Sequence, residues 1–573
     1  DAKGEESEQE RALYERDGVL AELFPMSRNT KHSDGHVYAV TGAGGIGKTR
    51  IAAEIATFAA INGILVVETG NDSAKGAAPY SLIRRLSKQL LSCRGSAGAR
   101  PTAVAYLQRL AHDHDFSGSE LSPVLTPSEA HTASHAIQDV LSSISEEQRV
   151  VIWIDDFHNR DVASKTLLAG IIAETPSVRV RWLLTSRDQP DDIRRQLGAA
   201  ISDRFTVRTL RPLSIVAGAS YAKDVATREG TPLEADTAVH ISRKAGGNPL
   251  FIRLLTQSRS QSQNHEHRDD SLDAIITRNL DGLAPNRLAV LNGIALLGSD
   301  ATPLRVRNSA GLSQHDFHDA LQHLEHSGVI EITAEGAIAL HECWHTALQR
   351  TLLGAAGVAL KLHYAEYLEK DNTSAALATN WRAAALYRDA GEHEHAARLF
   401  LQAGHQLYMQ GLADGALESF SAALASSRLD GKRRIALLHI TRCQHSIGDM
   451  EAALATANNG LAIRCDGSAD SVDSRLYLLS LKLDALWRLG QPHEALASEL
   501  AHAISDPRAS NDAKGLSAFT CIRVLFNDGS KLGDFSLIDE ATAVAATLGE
   551  NEFGLLAQLV AAAERGTPEA VLL

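Results

Sequence analysis

Eight consecutive residues, Gly42-Ala43-Gly44-Gly45-Ile46-Gly47-Lys48-Thr49, satisfy the spacing GxxxxGK[ST] at every fixed position. The chemistry explains the residue types. Glycines let successive backbone N–H groups curl around an anion, and the positive end of a following helix points at the same anion. Lys48 has the reach for the β- and γ-phosphates of a nucleoside triphosphate, and Thr49 offers its hydroxyl to Mg²⁺. Arg50 comes next and is expected beside the nucleotide as well. The flanks agree: HVYAV reads as a short buried strand and TRIAAEIATFAAI as a helix, the context in which this motif carries meaning. A chance glycine-rich turn would have neither flank. A purine nucleotide, ATP or ADP with Mg²⁺, is the expected ligand.

A second group of residues supplies what such a loop needs nearby. VVIWIDD is an apolar strand ending in acid, which sets Asp155 at the carboxyl edge of a sheet, where it can hold Mg²⁺ through water. Asp156 has two readings: a carboxylate that orients an attacking water, or one that caps the next helix. VRWLLTSR brings Thr185, Ser186 and Arg187 to the same edge. There Arg187 is placed to sense a γ-phosphate, the bland alternative being a surface arginine. Gly246-Gly247-Asn248-Pro249-Leu250 opens a further helix, and proline at a helix start is structurally common.

These side chains require strands alternating with helices. HVYAV, GILVVET, VVIWIDD and VRWLLTSR are strands, with PYSLIRRLSKQLLS a helix among them. The alternation predicts a parallel sheet with helices on both faces, and the unbroken apolar runs fit burial on both sides. Strand signals fade after residue 206, and residues 213–257 read as helices. QSRSQSQNHEHRDD is a polar linker. Residues 272–350 give three helices and then a strand pair, VIEITAEGAIAL, turned at Glu335-Gly336, which is a winged-helix pattern. From residue 355 the chain reads as helix throughout. In RDAGEHEHAARLF, YMQGLADGALESF, HSIGDMEAALATA and WRLGQPHEALASE a glycine (Gly391, Gly411, Gly448, Gly490) precedes a small alanine on the next helix. Glycine ends one helix and alanine lets the next pack closely, which predicts degenerate helical-hairpin repeats of roughly 34–42 residues.

A chain of 573 residues is too long for one core. Its net charge of −14 argues against coating nucleic acid by bulk electrostatics, though one small basic module is compatible with it. No apolar run approaches the roughly 18 residues of a membrane span. The start, DAKGEESEQERALYERDG, is too polar for a secretory signal. Five scattered cysteines (Cys93, Cys343, Cys443, Cys465, Cys521) without CxxC spacing point to a reduced, cytoplasmic protein. AHDHDF and NHEHRDD pair histidine with acid but follow no ligand pattern, so no metal beyond Mg²⁺ is expected.

In this order the segments resemble the STAND class of P-loop ATPases. More narrowly they are similar to the ATPase core of the large LuxR-type regulators, which include the maltose-regulon activator. ERDGVLAEL, with Arg16, resembles the motif that precedes the phosphate loop; IDDFH, with His158, the acid-tipped strand; LLTSR the sensor strand; and LRPLS the opening of the helical lid. GGNPLFI resembles the motif whose proline, here Pro249, lies against adenine. LHECWHTAL resembles the winged-helix segment that brings a histidine to the nucleotide, although the usual His-Pro-Leu stands here as His341-Glu342-Cys343.

The resemblance implies a multidomain chain: a lead segment over 1–36, an α/β P-loop ATPase domain over 37–205, a helical lid over 206–258 and a linker over 259–271. A winged helix over 272–352 and an all-α TPR-like superhelix over 353–573 complete it. It also implies a switch: ADP holds a closed monomer, ATP and an inducer or protein on the repeats favour self-association, and slow hydrolysis resets it. LuxR-type regulators end in a helix-turn-helix, and none is found in GLLAQLVAAAERGTPEAVLL. The absence of an initial Met and the stop within repeats lead us to expect a fragment, with DNA reached only through a module not seen here. Two other functions fit less of the chain. A signalling or defence scaffold without DNA binding would lack a helix-turn-helix in the full-length gene. A DNA-loading ATPase of the origin-recognition type would bind DNA in a salt-sensitive way with this chain alone.

Overall fold

The computed structural model describes residues 13–24, 35–69, 78–111, 130–175, 179–260, 272–298, 301–327, 329–332, 338–340, 342–371, 377–527, 536–548, 554–558 and 560. The chain falls into two units, one formed by Asp1–Asp113 with Thr132–Tyr367 and the other by His114–His131 with Leu368–Leu573.

The first unit is built on five parallel strands: β1 (Val37–Thr41), β2 (Leu65–Glu68), β3 (Val150–Ile154), β4 (Val180–Ser186) and β5 (Phe205–Thr209), in the order β2-β3-β4-β1-β5. Every residue of β1, β3 and β4 is buried, as the unbroken apolar sequence of β3 requires, and β4 buries Arg181 among its apolar residues. One face is covered by α1 (Asp17–Leu23) and α2 (Lys48–Ile61), where Leu23, Ile51, Ala52 and Ile55 pack with Tyr38, Val40, Trp153 and Leu183. Burying each of the leucine and isoleucine side chains contributes roughly 1.5–3 kcal/mol. The order places β1 beside β4, and β4 beside β3. The loops leaving these three strands therefore emerge at one carboxyl edge, where open α/β sheets hold ligands.

β5 was not foreseen, and the expected domain boundary at 205/206 falls at its first residue. Its sequence, FTVRT, mixes apolar with polar residues because it is an edge strand, paired on one side with β1 and half-exposed.

Three helices follow: α3 (Ile215–Arg228), α4 (Ala235–Lys244) and α5 (Pro249–Ser260). They share a small core of Leu213, Ala219, Ala222, Ala238, Ile241 and Ile252. Ser214 caps α3 by accepting from the N–H of Ala217. Further on, helices Leu272–Asp281, Pro285–Leu297, Pro303–Ala310 and Gln314–His326 lead to an antiparallel pair, β6 (Ile330–Ile332) and β7 (Ile338–Leu340). The pair is in register with Ile330 opposite Leu340; the expected turn at Glu335-Gly336 lies outside the described residues.

The second unit is a TPR-like array in which consecutive helices pack on one another. All four phrase glycines have positive φ, between 65° and 93°, so each ends its helix in the conformation that glycine alone adopts without strain. Ala396, Ala416 and Ala453 are fully buried five residues on. At the fourth phrase the buried contact is Ala497, and Ala495 is exposed.

Candidate nucleotide-binding site

Thr41 ends β1 and Gly42 begins the loop, which closes at Gly47, φ 99°, just before α2. Gly42 and Gly45 also have positive φ. Lys48 is buried, and its Nζ donates to the carbonyls of Gly42 and Ala43 at 3.0 Å each. Thr49 points its hydroxyl across to β3 and donates to both carboxylate oxygens of Asp155 at 3.1 Å. The two predicted Mg²⁺ residues, 106 positions apart in the chain, are thus direct neighbours.

β4 stands between those strands and ties them. Thr185 donates to Asp155 Oδ1 at 2.5 Å and accepts from the N–H of Asp156 at 2.8 Å. Arg160 donates to the Asp155 carbonyl at 2.7 Å. Asp155 is 2% exposed. Burial, with the neighbouring Asp156 adding to it, pushes its carboxyl up to about 6, against the hydrogen bonds from Thr185 and Thr49. A buried carboxylate beside a hydroxyl at a sheet edge is a fitting donor pair for a hard divalent cation, whose charge would offset the burial penalty. Among the described residues no group of three or more His, Cys, Asp or Glu is arranged to hold a metal unaided.

Asp156 has φ 47° and makes no capping hydrogen bond from its side chain. The cap of the next α-helix is Asp161, which accepts from Ser164 N–H at 2.7 Å. Asp161 also accepts from Tyr80 N–H and the Ser81 hydroxyl, fastening the PYSLIRRL helix to this edge. The N–H of Arg187 meets His158 Nδ1 at 3.4 Å. The Arg187 guanidinium lies against Gly44 so closely that a Cβ added there would be 2.7 Å from Nη2.

Pro249 opens α5 at the edge of the loop. The preceding Asn248 donates through Nδ2 to the Gly44 carbonyl at 2.8 Å, and Leu250 N–H donates to the Gly45 carbonyl at 3.3 Å. Gly247, φ 70°, sits so tightly on Leu213 that an added Cβ would be 2.2 Å from its carbonyl oxygen. Arg16 is buried and donates to the carbonyls of Arg211 at 2.8 Å and Ile46 at 3.4 Å. Glu15, φ 52°, accepts from Ser214, and Tyr14 donates to Asp224 on α3. Arg50 is exposed on α2, and its charge acts on Tyr221 of α3. His341 lies outside the described residues, as do residues 112–116 of AHDHDF and all of NHEHRDD.

Sequence reasoning overlooked Asn248, Asp161 and Arg160 as parts of this edge. Asn248 had a local signal: an amide directly after two glycines and before a helix-starting proline. Arg160 and Asp161 had none beyond proximity to Asp155.

Residues 12–184 match the family model described as the AAA ATPase domain. None of the curated proteins matches the chain. A Pyrococcus horikoshii signal transduction ATPase with numerous domains, which carries a tetratricopeptide repeat sensor, is 14% identical with a TM-score of 0.45, covering 97% of this chain and 80% of its own. A Walker-type ATPase of Pyrococcus abyssi is 14% identical with a TM-score of 0.31, covering 59% of this chain and 96% of its own. A Drosophila origin recognition complex bound to DNA and Cdc6 is 11% identical with a TM-score of 0.21, covering 59% of this chain and 95% of that one. At these values the likenesses carry no conclusion about function. The strands and loops that assemble Lys48, Thr49 and Asp155 therefore lie in a segment that matches the AAA ATPase domain family over residues 12–184.

Proposed function

We propose that this chain is an ATP/ADP-dependent signalling switch, the nucleotide-binding and sensor portion of a LuxR-type transcriptional regulator. The observation that carries the reading is the seating of Asn248 and Leu250, at the start of α5, on Gly44 and Gly45 of the phosphate loop. Nucleotide occupancy and lid position then act on the same few peptide groups, which suits a switch better than a rapid-turnover enzyme.

Lys48 leaves the Gly42 and Ala43 carbonyls to reach the β- and γ-phosphates. Thr49 and Asp155 hold Mg²⁺, which when bound offsets phosphate charge. Asp156 orients the attacking water, and Arg187, against Gly44, responds to the γ-phosphate. Pro249 lies against adenine and Arg50 beside the nucleotide, while Arg16 acts from behind the loop through the Ile46 carbonyl. ADP holds a closed form; ATP, with an inducer or partner protein on the repeats, favours self-association; slow hydrolysis resets the switch. DNA is reached only through a module not seen in this chain. Mass spectrometry of nucleotide released from the purified protein tests the reading. Retained ADP is expected, whereas a guanine nucleotide would contradict it.

A further inference from the structure

Three successive carbonyls of the phosphate loop are capped from outside the loop. Gly44 O accepts from Asn248 Nδ2 at 2.8 Å, Gly45 O from Leu250 N–H at 3.3 Å, and Ile46 O from Arg16 Nη2 at 3.4 Å. The caps come from two distant stretches of chain, one just before α1 and one at the start of α5. In a trans peptide the carbonyl and the next N–H point in opposite directions. Fixing those three carbonyls therefore turns the N–H groups of Gly45, Ile46 and Gly47 to the opposite face of the loop. That face can be located independently. Ile46 N–H approaches Ala43 O at 3.4 Å, and Lys48 Nζ donates to the same oxygen at 3.0 Å. The Ile46 N–H and the lysine thus turn to the same oxygen, on the side where an anion cradle would lie.

Contact on the capped side is close. A Cβ on Gly45 would lie 2.8 Å from Leu250 Cβ and 3.0 Å from Asn248 Oδ1. Asn248 is itself held, since its Oδ1 accepts from Leu250 N–H at 3.1 Å, leaving Nδ2 directed at Gly44. Arg16 is braced by its 2.8 Å bond to Arg211 O.

We propose that Asn248 and Arg16 are positioning residues that pre-organise the phosphate cradle by capping its carbonyls, so that lid docking sets how long a nucleotide's phosphates are retained. The inference rests on the reading of Gly42–Thr49 as a phosphate loop. It assigns both side chains to the peptide groups behind the nucleotide.

The test uses the full chain. Asn248→Ala removes the donor to Gly44 without adding a negative charge beside the phosphates, and also removes the acceptor for Leu250 N–H. Arg16→Met keeps length and removes the donors. Gly45→Ala attacks the same contact from the loop side, so a folding failure in one variant leaves the others decisive. The dissociation rate of N-methylanthraniloyl-ADP is measured by stopped flow, and affinities for ADP and adenosine by competition. Each lost cap should speed ADP release about tenfold, as expected for one buried hydrogen bond, while adenosine affinity is unchanged. ADP release within about twofold of the parent, a difference worth under half a kcal/mol, would overturn the proposal. Equal weakening of adenosine and ADP would do so too, because the side chains would then act on the base or the fold. Lys48→Ala separates the layers. If it loses ADP while the capping variants do not, only this inference fails; if it retains ADP, the phosphate-loop reading fails with it.

Discussion

At Asp155, binding and stability pull in opposite directions. Its carboxyl stands at about 6 in the fold, against an ordinary 3.8, because it is buried next to Asp156. Between those values the folded state holds a proton that the unfolded chain has lost, so stability falls as pH rises through that window. At neutral pH the empty protein therefore carries an ionised carboxylate at a cost that a cation would relieve. Asp155→Asn should raise the melting temperature of the nucleotide-free protein at pH 7, with the gap closing as pH falls toward 4. The same variant should lose the extra thermal shift that Mg²⁺ adds to ATP. Scanning calorimetry with and without Mg²⁺ checks both, and an unchanged Mg²⁺ effect would remove Asp155 from the metal site. The residues of this site that were legible in the sequence are those in contiguous motifs, Gly42–Thr49 and Asp155. The bond between Asn248 and Gly44 joins residues 204 apart, and a one-dimensional pattern carries no trace of such a pairing.

Among the elements, the helical array is joined by polar contacts that recur at nearly the repeat length. Ser510 N–H donates to Asp473 and Ser480 to Ser517, 37 residues apart in each case. His445 and Arg523 both bond Asp484, each 39 residues from it. Burial alone would raise the Asp484 carboxyl. The His445 hydrogen bond and the charges of Arg523, His445 and Arg488 outweigh it and bring it down to about 2. A lowered folded value means stability that is present above the unfolded value near 3.8 and is lost as pH falls toward 2. Asp484→Asn should cost about 2 kcal/mol near pH 7 and progressively less below pH 4. Urea unfolding followed by circular dichroism at several pH values measures this, and a cost independent of pH would show that the carboxylate's charge is not the cause. The sequence revealed the array through its glycines, because a helix stop needs positive φ and few residues tolerate it. It hid this polar ladder, since Asp484 reads locally as one more charge in a helix. It hid β5 as well, because an edge strand paired on one side needs no unbroken apolar run.

At the scale of the whole molecule, the order of segments was legible because each domain type has its own period: unbroken apolar strands, then amphipathic helices, then glycine-punctuated repeats. The proposed inducer was not, since repeat surfaces of one architecture take chemically different partners. The central claim is that nucleotide state governs assembly, and sedimentation velocity tests it most directly. The protein would be loaded with ADP or with Mg²⁺ and a slowly hydrolysed ATP analogue, with Lys48→Ala run alongside. The account predicts a monomer with ADP, larger species with the ATP analogue, and a Lys48→Ala variant that stays monomeric in both. An ATP-dependent increase in size that persists in Lys48→Ala would contradict it.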